Sequence, residues 1–184
     1  MLQWLSKMIL KIWGFKIKGH NPNKVDKKLF IVMPHTSNMD FPLGMLVKTA
    51  MNIETNFLAK HTLFRWPIKW FLLRWGFVPV DRSKNNGLTA QMVTIFNSQE
   101  KIAFGVAPEG TRRNVAKLRT GFYHIARQAN VPIILVTMDW KNKQVHFGEP
   151  YYLSSNKEME IIKIENYYAG IHGFRKKRSF KMPS

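Results

Sequence analysis

A histidine and an aspartate stand close together in residues 34–40, and a second polar segment, residues 108–112, lies further along the chain. Near neutral pH an imidazole can accept a proton from an alcohol, and a carboxylate can fix its tautomer and stabilise the imidazolium that forms. The apolar run 29–33 predicts a buried strand directly before this loop, a common location for chemistry in α/β folds. We therefore expect His35 and Asp40 to be the catalytic residues, with His35 as the general base.

The second segment contains residues suited to an anionic substrate. The guanidinium of Arg112 is a planar fork that can contact two phosphate oxygens, and Gly110 permits close approach of the backbone. Glu109 would repel a phosphate, so its expected role is to orient Arg112 or to accept a substrate hydroxyl. We expect Glu109, Gly110, Thr111 and Arg112 to bind substrate. If the strands before the two segments run parallel, both segments emerge at the same edge of the sheet.

Strand-like apolar runs alternate with amphipathic stretches along the whole chain. The predicted strands cover residues 15–18, 28–33, 57–59, 77–80, 102–106, 133–138 and 144–147, and the last two are candidates to pair with each other. The predicted helices cover residues 41–50, the aromatic stretch before residue 77, and residues 87–98, 121–129 and 157–168. The runs 29–33, 102–106 and 133–138 are almost continuously apolar, as in strands buried on both faces. The sequence therefore predicts a three-layer α/β/α fold with a mostly parallel central sheet.

Length and composition limit the classes of protein that this chain can belong to. At 184 residues we expect one domain, residues 1–184, with a single core. The chain has no cysteine, which excludes disulfides, thiolate metal sites and a cysteine acyl-enzyme. No cluster of residues has the spacing of metal ligands, so we expect no metal. Lysines interrupt the N-terminus, which argues against a secretory signal, and no run approaches the roughly 18 apolar residues of a spanning helix.

The charge balance is strongly basic, with 29 Lys and Arg against 11 Asp and Glu, a net charge of +18. Such a chain attracts nucleic acid, anionic lipid or anionic soluble substrates. Near the N-terminus the apolar residues fall at helical spacing between lysines, namely Leu2, Leu5, Met8, Ile9, Ile12 and Trp13. This pattern is typical of an amphipathic helix in a bilayer interface, so we expect residues 1–18 to be a membrane-interface segment. A terminal helix packed on the protein's own core is the alternative.

Aromatic and basic residues also alternate over residues 57–77, where Trp66, Trp70 and Trp75 each lie near a cation. Tryptophans suit the headgroup level of a bilayer, and aromatics beside cations can also stack nucleic-acid bases. We find no RNP, KH or zinc-finger pattern to organise a nucleic-acid site. Packing in the core remains a further alternative for this segment. The basic cluster 175–178 is expected to be a solvated tail.

These motifs occur in an order that resembles the glycerolipid acyltransferase family. His35 and Asp40 match its His-x4-Asp block, and residues 76–82 match a second block that ends in Arg82. Residues 108–112 match the Glu-Gly-Thr-Arg block, and residues 131–134 match a fourth, hydrophobic block with its proline. The chain departs from the family in being short and in lacking the long hydrophobic N-terminal hairpin of many members.

The resemblance implies a peripheral enzyme on the cytoplasmic face of the membrane. It would transfer a fatty acyl group from an acyl carrier protein or coenzyme A thioester to a hydroxyl of a lysophospholipid such as lysophosphatidic acid. His35 would deprotonate the acceptor hydroxyl, with Asp40 orienting the imidazole, and no cofactor or covalent enzyme intermediate would be needed. Arg82 would supply a second phosphate contact, unless it forms a surface ion pair with Asp81 or another neighbour.

Several alternatives remain open at the level of the sequence. One alternative is a different acceptor, with glycerol-3-phosphate or a lyso-aminolipid in place of the lysophospholipid. A nucleic-acid-binding protein would explain the charge but leaves the two polar segments unexplained, and we expect no nucleic-acid partner. A non-catalytic lipid-binding protein of the same family is a third alternative. Within the loop, Ser37 is a second candidate nucleophile, although no Gly-x-Ser-x-Gly pattern surrounds it.

Overall fold

The computed structural model describes residues 1–80, 87–112, 115 and 117–180. The helices of these residues are α1 (Leu2–Ile12), α2 (Asp40–Ala50), α3 (Ile68–Arg74), α4 (Gly87–Ser98), α5 (Gly121–Gln128) and α6 (Lys157–Tyr168). The strands are β1 (Lys16–Gly19), β2 (Lys27–Met33), β3 (Phe57–Lys60), β4 (Phe77–Val80), β5 (Ile102–Val106), β6 (Ile133–Asp139) and β7 (Gln144–Phe147). The predicted strands and helices are confirmed, with ends that agree to about one residue wherever the sequence predicted them.

Five strands form the central sheet in the order β1-β7-β6-β2-β5. All neighbours are parallel except β6 and β7, whose predicted pairing is confirmed as antiparallel. Helices α1 and α2 cover one face through residues such as Leu10 and Leu43, and α4, α5 and α6 cover the other through residues such as Phe96 and Ile164. The three-layer α/β/α fold is therefore confirmed, and β2 lies inside the sheet, buried by helices on both faces.

Strand β5 is the end strand of this sheet, which corrects part of the sequence prediction. Its apolar run predicted a strand buried on both faces, but Gly105 and Val106 are only half-buried. Strands β3 and β4, which come earlier in the chain, form a separate, parallel two-stranded sheet. A bridge between Asn56 and Phe104 joins this small sheet to β5. The ammonium of Lys48 on α2 donates to the backbone oxygen of Thr55 at 2.8 Å, and this bond holds the small sheet beside α2.

Helix α1 packs on α2 and also leaves an apolar face in solvent. Ser6 and Leu10 are buried against α2, whereas Leu2 and Ile12 are 73% and 77% exposed. Packing on the core therefore uses a narrow line of the helix, and most of the predicted apolar face remains uncovered. In the parts of the chain that the structure describes, every helix is too short or too polar to cross a bilayer.

Helix α3 has no buried residue, and Trp66 just before it and Trp70 within it are 93% and 73% exposed. Core packing, one of the alternatives for this segment, is therefore wrong for α3. Trp75, where the helix ends, is half-buried and stacks on Phe41 with ring centres 6.5 Å apart. The exposed aromatic helix is thus joined to the start of α2 by an aromatic contact.

The basic cluster near the C-terminus is a folded turn, so the prediction of a tail is wrong for its backbone, whereas the predicted exposure of its cations to solvent is largely confirmed. The backbone N–H of Gly173 donates to Ser179 Oγ at 2.9 Å, and the N–H of Arg175 donates to Thr36 Oγ1 at 3.1 Å. Ser179 and Phe180 are buried. Backbone hydrogen bonds and a buried anchor therefore hold this turn against the loop that contains His35, while its cations stay largely in solvent.

Candidate active site

The loop of residues 34–39 connects the end of β2 to the start of α2. Strand β5 lies beside β2 in parallel register, so the segment after β5 leaves the sheet at the same edge. The two polar segments are in direct contact there, because the backbone N–H of His35 donates to Glu109 Oε2 at 2.6 Å. The convergence expected from the strand order is therefore confirmed.

Asp40, the first residue of α2, fixes the conformation of this loop. Its Oδ2 accepts the backbone N–H groups of Thr36 and Ser37, both at 2.8 Å. The carboxylate is buried, and short polar side chains that accept local backbone N–H groups commonly shape turns at helix starts. The same bonds make Ser37 a turn residue: its hydroxyl is buried and accepts the N–H of Met39. Ser37 therefore offers no accessible nucleophile in this conformation.

His35 and Asp40 form a pair in which Nδ1 lies 3.3 Å from Oδ2. The carboxylate side chain is 1% exposed and the imidazole 28% exposed, so one side of the ring reaches solvent. With Nδ1–H directed at the carboxylate, the neutral imidazole has its lone pair on Nε2. The arrangement can therefore accept a proton at Nε2 and stabilise the resulting imidazolium through Asp40.

Arg112 lies next to the atom that would accept this proton. Its Nε donates to His35 Nε2 at 3.4 Å, which agrees with a lone pair on that nitrogen. The side chain of Arg112 is exposed, so its guanidinium can also contact an anion from solvent. An anionic group held there would lie within a few bond lengths of the imidazole.

Glu109 is buried beneath the loop, and its carboxylate supports the backbone of His35. Burial raises the pKa of this carboxyl from 4.5 to about 7. The hydrogen bond from His35 and the charge of its imidazolium act against burial, and the nearby charge of Asp40 adds to it. Glu109 therefore changes protonation near neutral pH, at a position that directly contacts the loop containing His35.

Gly110 is required by the shape of the turn that follows β5. Its φ is +64°, and a Cβ built there would lie 2.5 Å from Arg119 Nε. The backbone N–H of Arg119 in turn donates to the oxygen of Pro108 at 2.8 Å. A side chain at this position would both strain the backbone and displace Arg119, so the glycine allows the turn to pass close to its neighbour.

A comparison with protein families identifies the group to which the chain belongs. The family model described as Acyltransferase matches residues 15–139, more than half of the chain. This chain is a member of the acyltransferase family. The resemblance to glycerolipid acyltransferases drawn from the four sequence blocks is thereby confirmed.

The acyltransferase is similar to two curated proteins, each named 1-acyl-sn-glycerol-3-phosphate acyltransferase. The protein from Saccharomyces cerevisiae is 25% identical over 182 residues, covering 89% of this chain and 57% of the relative. The protein from Escherichia coli is 27% identical over 150 residues, covering 74% of this chain and 58% of the relative. This chain therefore spans less than two-thirds of the length of these relatives.

A solved structure shares the fold of the acyltransferase. The crystal structure of the 1-acyl-sn-glycerophosphate acyltransferase from Thermotoga maritima aligns with a TM-score of 0.56 and 18% identity. The alignment covers 90% of this chain and 75% of that chain. At this identity the match supports the shared α/β architecture.

Sequence reasoning missed one contact of Asp40 in this acyltransferase. Trp140, the residue after β6, donates its indole Nε1–H to Asp40 Oδ1 at 2.9 Å. Strand β6 is parallel to β2, so residues that follow it leave the sheet at the same edge as His35. The parallel-strand argument that brings Glu109 to the loop would have indicated Trp140 as well.

The remaining predicted site residues have different outcomes. Thr111 is half-buried beside Arg112 in the turn after β5. Arg82, predicted as a second phosphate contact, lies outside the described residues. Across the described ranges, no group of three or more histidine, cysteine and acidic side chains is arranged to hold a metal ion.

An aromatic cluster lies directly beside the pair formed by His35 and Asp40. Phe41 follows Asp40 at the start of α2 and packs on the rings of Phe57 and Phe77, with ring centres 6.2 Å away in each case. Trp75 stacks on the same ring. Phe41 itself is exposed, so an apolar surface extends from the edge of the loop of residues 34–39 toward the exposed helix α3.

Proposed function

We propose that this acyltransferase moves a fatty acyl group from an acyl thioester to a hydroxyl of a lysophospholipid such as lysophosphatidic acid. The donor is acyl carrier protein or coenzyme A. His35 Nε2 takes the proton of the acceptor hydroxyl as its oxygen attacks the thioester carbonyl. The new ester C–O bond forms, the C–S bond breaks, and the proton passes to the departing sulfur, so the products are an ester and a thiol. No covalent enzyme intermediate and no cofactor are required.

The observation that carries this proposal is the pairing of His35 with the buried Asp40, with Arg112 at the outer nitrogen of the imidazole. A base, its orienting carboxylate and a phosphate-binding fork are the groups that attack by a phosphate-bearing alcohol requires. A phosphate bound by Arg112 would draw the guanidinium toward itself and leave Nε2 free for the hydroxyl. Glycerol-3-phosphate and a lyso-aminolipid remain the alternative acceptors for the same chemistry.

The proposed enzyme works at the cytoplasmic surface of an anionic membrane. A lysophospholipid presents its hydroxyl at the headgroup level, where exposed tryptophans are stable and lysines are attracted to anionic lipid. The uncovered apolar residues of α1 and the exposed aromatics of α3 provide such a surface, and the net charge of +18 adds a long-range attraction. The segment of residues 1–18 is proposed to lie in the interface through its Leu2 and Ile12 side.

The apolar surface beside the site is proposed to carry a fatty chain. Phe41 lies next to Asp40 in sequence and contacts the aromatic cluster that leads to α3. A chain lying along these rings would have its carbonyl end near His35 and its methyl end toward the membrane-facing helix. This geometry suits a long acyl group and does not select its length.

The direct test is mass spectrometry of the lipids that the purified protein forms with a mixture of lyso-acceptors and with each donor type in turn. We expect a diacyl product from lysophosphatidic acid, with thiol release in equal amount, and none from the His35→Ala variant. Product formation on a different acceptor would replace the lysophospholipid in this proposal. The absence of acyl transfer with either donor and every acceptor would refute the proposed function.

A further inference from the structure

Trp140 makes a contact with the catalytic carboxylate that none of the four sequence blocks contains. The residue follows β6 and lies far from Asp40 in sequence, yet its indole N–H donates to Asp40 Oδ1 at 2.9 Å. Both side chains are buried. A hydrogen bond from a neutral donor to an ionised acceptor in a buried site is stronger than the same bond in water.

The two oxygens of Asp40 have different partners. Oδ2 accepts the backbone N–H groups of Thr36 and Ser37 and lies 3.3 Å from the imidazole of His35. Oδ1 accepts the indole N–H of Trp140. Because the indole bonds only the oxygen away from His35, it fixes the rotation of the carboxylate plane and keeps Oδ2 directed at Nδ1. Without it, the buried Oδ1 would have no hydrogen-bond donor, and only the bonds to Oδ2 would hold the carboxylate plane.

The indole ring is itself held in place by aromatic neighbours. Phe15 and Phe174 meet it edge-on, with ring centres 5.0 Å and 4.8 Å away, and Trp13 packs on it at 5.8 Å. The backbone N–H of Trp140 donates to the oxygen of His172 at 2.8 Å. A ring enclosed in this way can direct its N–H at one atom, as an orienting group must.

We propose that Trp140 is a positioning residue of the acyl transfer reaction, acting through Asp40 on the general base His35. This role rests on the proposed function and extends it to a residue outside the family's sequence blocks. Trp140 does not touch the reacting atoms in this assignment. Its effect is to hold the carboxylate in the orientation that fixes the tautomer of the imidazole.

The test removes the indole N–H while keeping the ring. Replacement of Trp140 with 3-benzothienylalanine, which has sulfur in place of N–H, is the shape-preserving variant, and Trp140→Phe is the simpler one. We expect kcat to fall by on the order of 10-fold to 100-fold in both variants, with the acceptor KM unchanged, because a misplaced catalytic group slows the chemical step. Phe147→Leu is the matched control, since it trims a buried ring of the same core cluster that packs on Phe30, and it should keep the wild-type kcat.

A second arm separates positioning from general stability. In an Asp40→Asn background the loss caused by Trp140→Phe should disappear, since two residues that act as one unit are not additive. Additive losses, an equal loss in Phe147→Leu, or an unchanged kcat in the 3-benzothienylalanine variant would each overturn the positioning role while leaving an active wild type. A wild-type protein without acyl transfer would overturn the proposed function, and this role with it.

Discussion

Replacing Glu109 with glutamine is expected to change how the stability of the protein depends on pH. The carboxylate is buried under the loop of residues 34–39 and accepts the backbone N–H of His35 at 2.6 Å. Burial raises its pKa from 4.5 to about 7, in spite of the opposing effect of that hydrogen bond. The unfolded chain exposes the same carboxyl to water, where it ionises near its ordinary pKa.

The sign of the effect follows from which state binds the proton more tightly. The folded protein binds the proton of Glu109 more tightly than the unfolded chain does. Glu109 therefore contributes stability that is fully present below about pH 4.5 and is lost as the pH rises through about 7. A pKa shift of this size changes the free energy of unfolding by about 3 kcal/mol between low and high pH. Glutamine does not titrate, and its amide oxygen can still accept the N–H of His35, so the variant should lack this loss.

The measurement is the free energy of urea unfolding of both proteins across a series from about pH 5 to about pH 8. Between these two pH values the free energy of unfolding of the variant should rise by about 2 to 3 kcal/mol relative to that of the wild type. Groups that titrate in both proteins do not contribute to the difference in unfolding free energy between variant and wild type. An effect of the amide that does not depend on pH shifts this difference by a constant. Glu54→Gln, at an exposed ion pair with Lys101, controls for the loss of one surface carboxylate. A difference that stays constant across the series would refute the buried-carboxyl explanation.

Three further variants test the proposed chemistry and the proposed membrane contact. His35→Ala should reduce acyl transfer to a few per cent of wild type or less, about the loss expected of a general base, with circular dichroism unchanged; greater retained turnover would remove that role. Arg112→Lys should raise the acceptor KM with the donor KM unchanged, because the bidentate fork is lost; a rise in the donor KM instead would move Arg112 to the donor's phosphates. Leu2→Glu combined with Ile12→Glu should release the protein from anionic liposomes in a sedimentation assay without lowering Tm, since both side chains are exposed. Ile162→Glu, on the exposed side of α6, should not release the protein from the liposomes. Equal release by this variant and by the Leu2 and Ile12 double variant would assign the release to the change in net charge.

The elements of the fold are predictable because their apolar periods are unambiguous. Residues 133–138 are almost continuously apolar, as expected of a strand covered on both faces, and all of β6 is buried. The packed side of α1 is not predictable in this way. Its strongest apolar face includes Leu2 and Ile12, yet Ser6 and Leu10 are the residues buried on α2. The tertiary position of α2 decides this, and no local pattern contains that information.

The contacts of the candidate site were also predictable only in part. The contact between His35 and Glu109 was predictable, because residues after neighbouring parallel strands meet at one edge of the sheet. The folded C-terminal turn was not, because four consecutive cations suggest solvent when the buried anchors around them are unknown. Gly173 is the clearest example: a Cβ there would lie 2.5 Å from the Thr36 side chain, and the need for glycine appears only once the turn is docked on the loop.

The proposed membrane helix and the proposed general base are connected through one set of aromatic contacts in this fold. Trp13, where α1 ends, packs on Trp140, and the indole of Trp140 donates to Asp40. A truncation through Trp13 would remove the proposed membrane helix and would also disturb the ring that orients the catalytic carboxylate. Loss of activity in such a variant would therefore have two causes. Substitutions at the exposed Leu2 and Ile12 leave the aromatic contact in place, so a variant that fails only on bilayer acceptors and retains turnover on a short-chain soluble acceptor assigns the loss to docking.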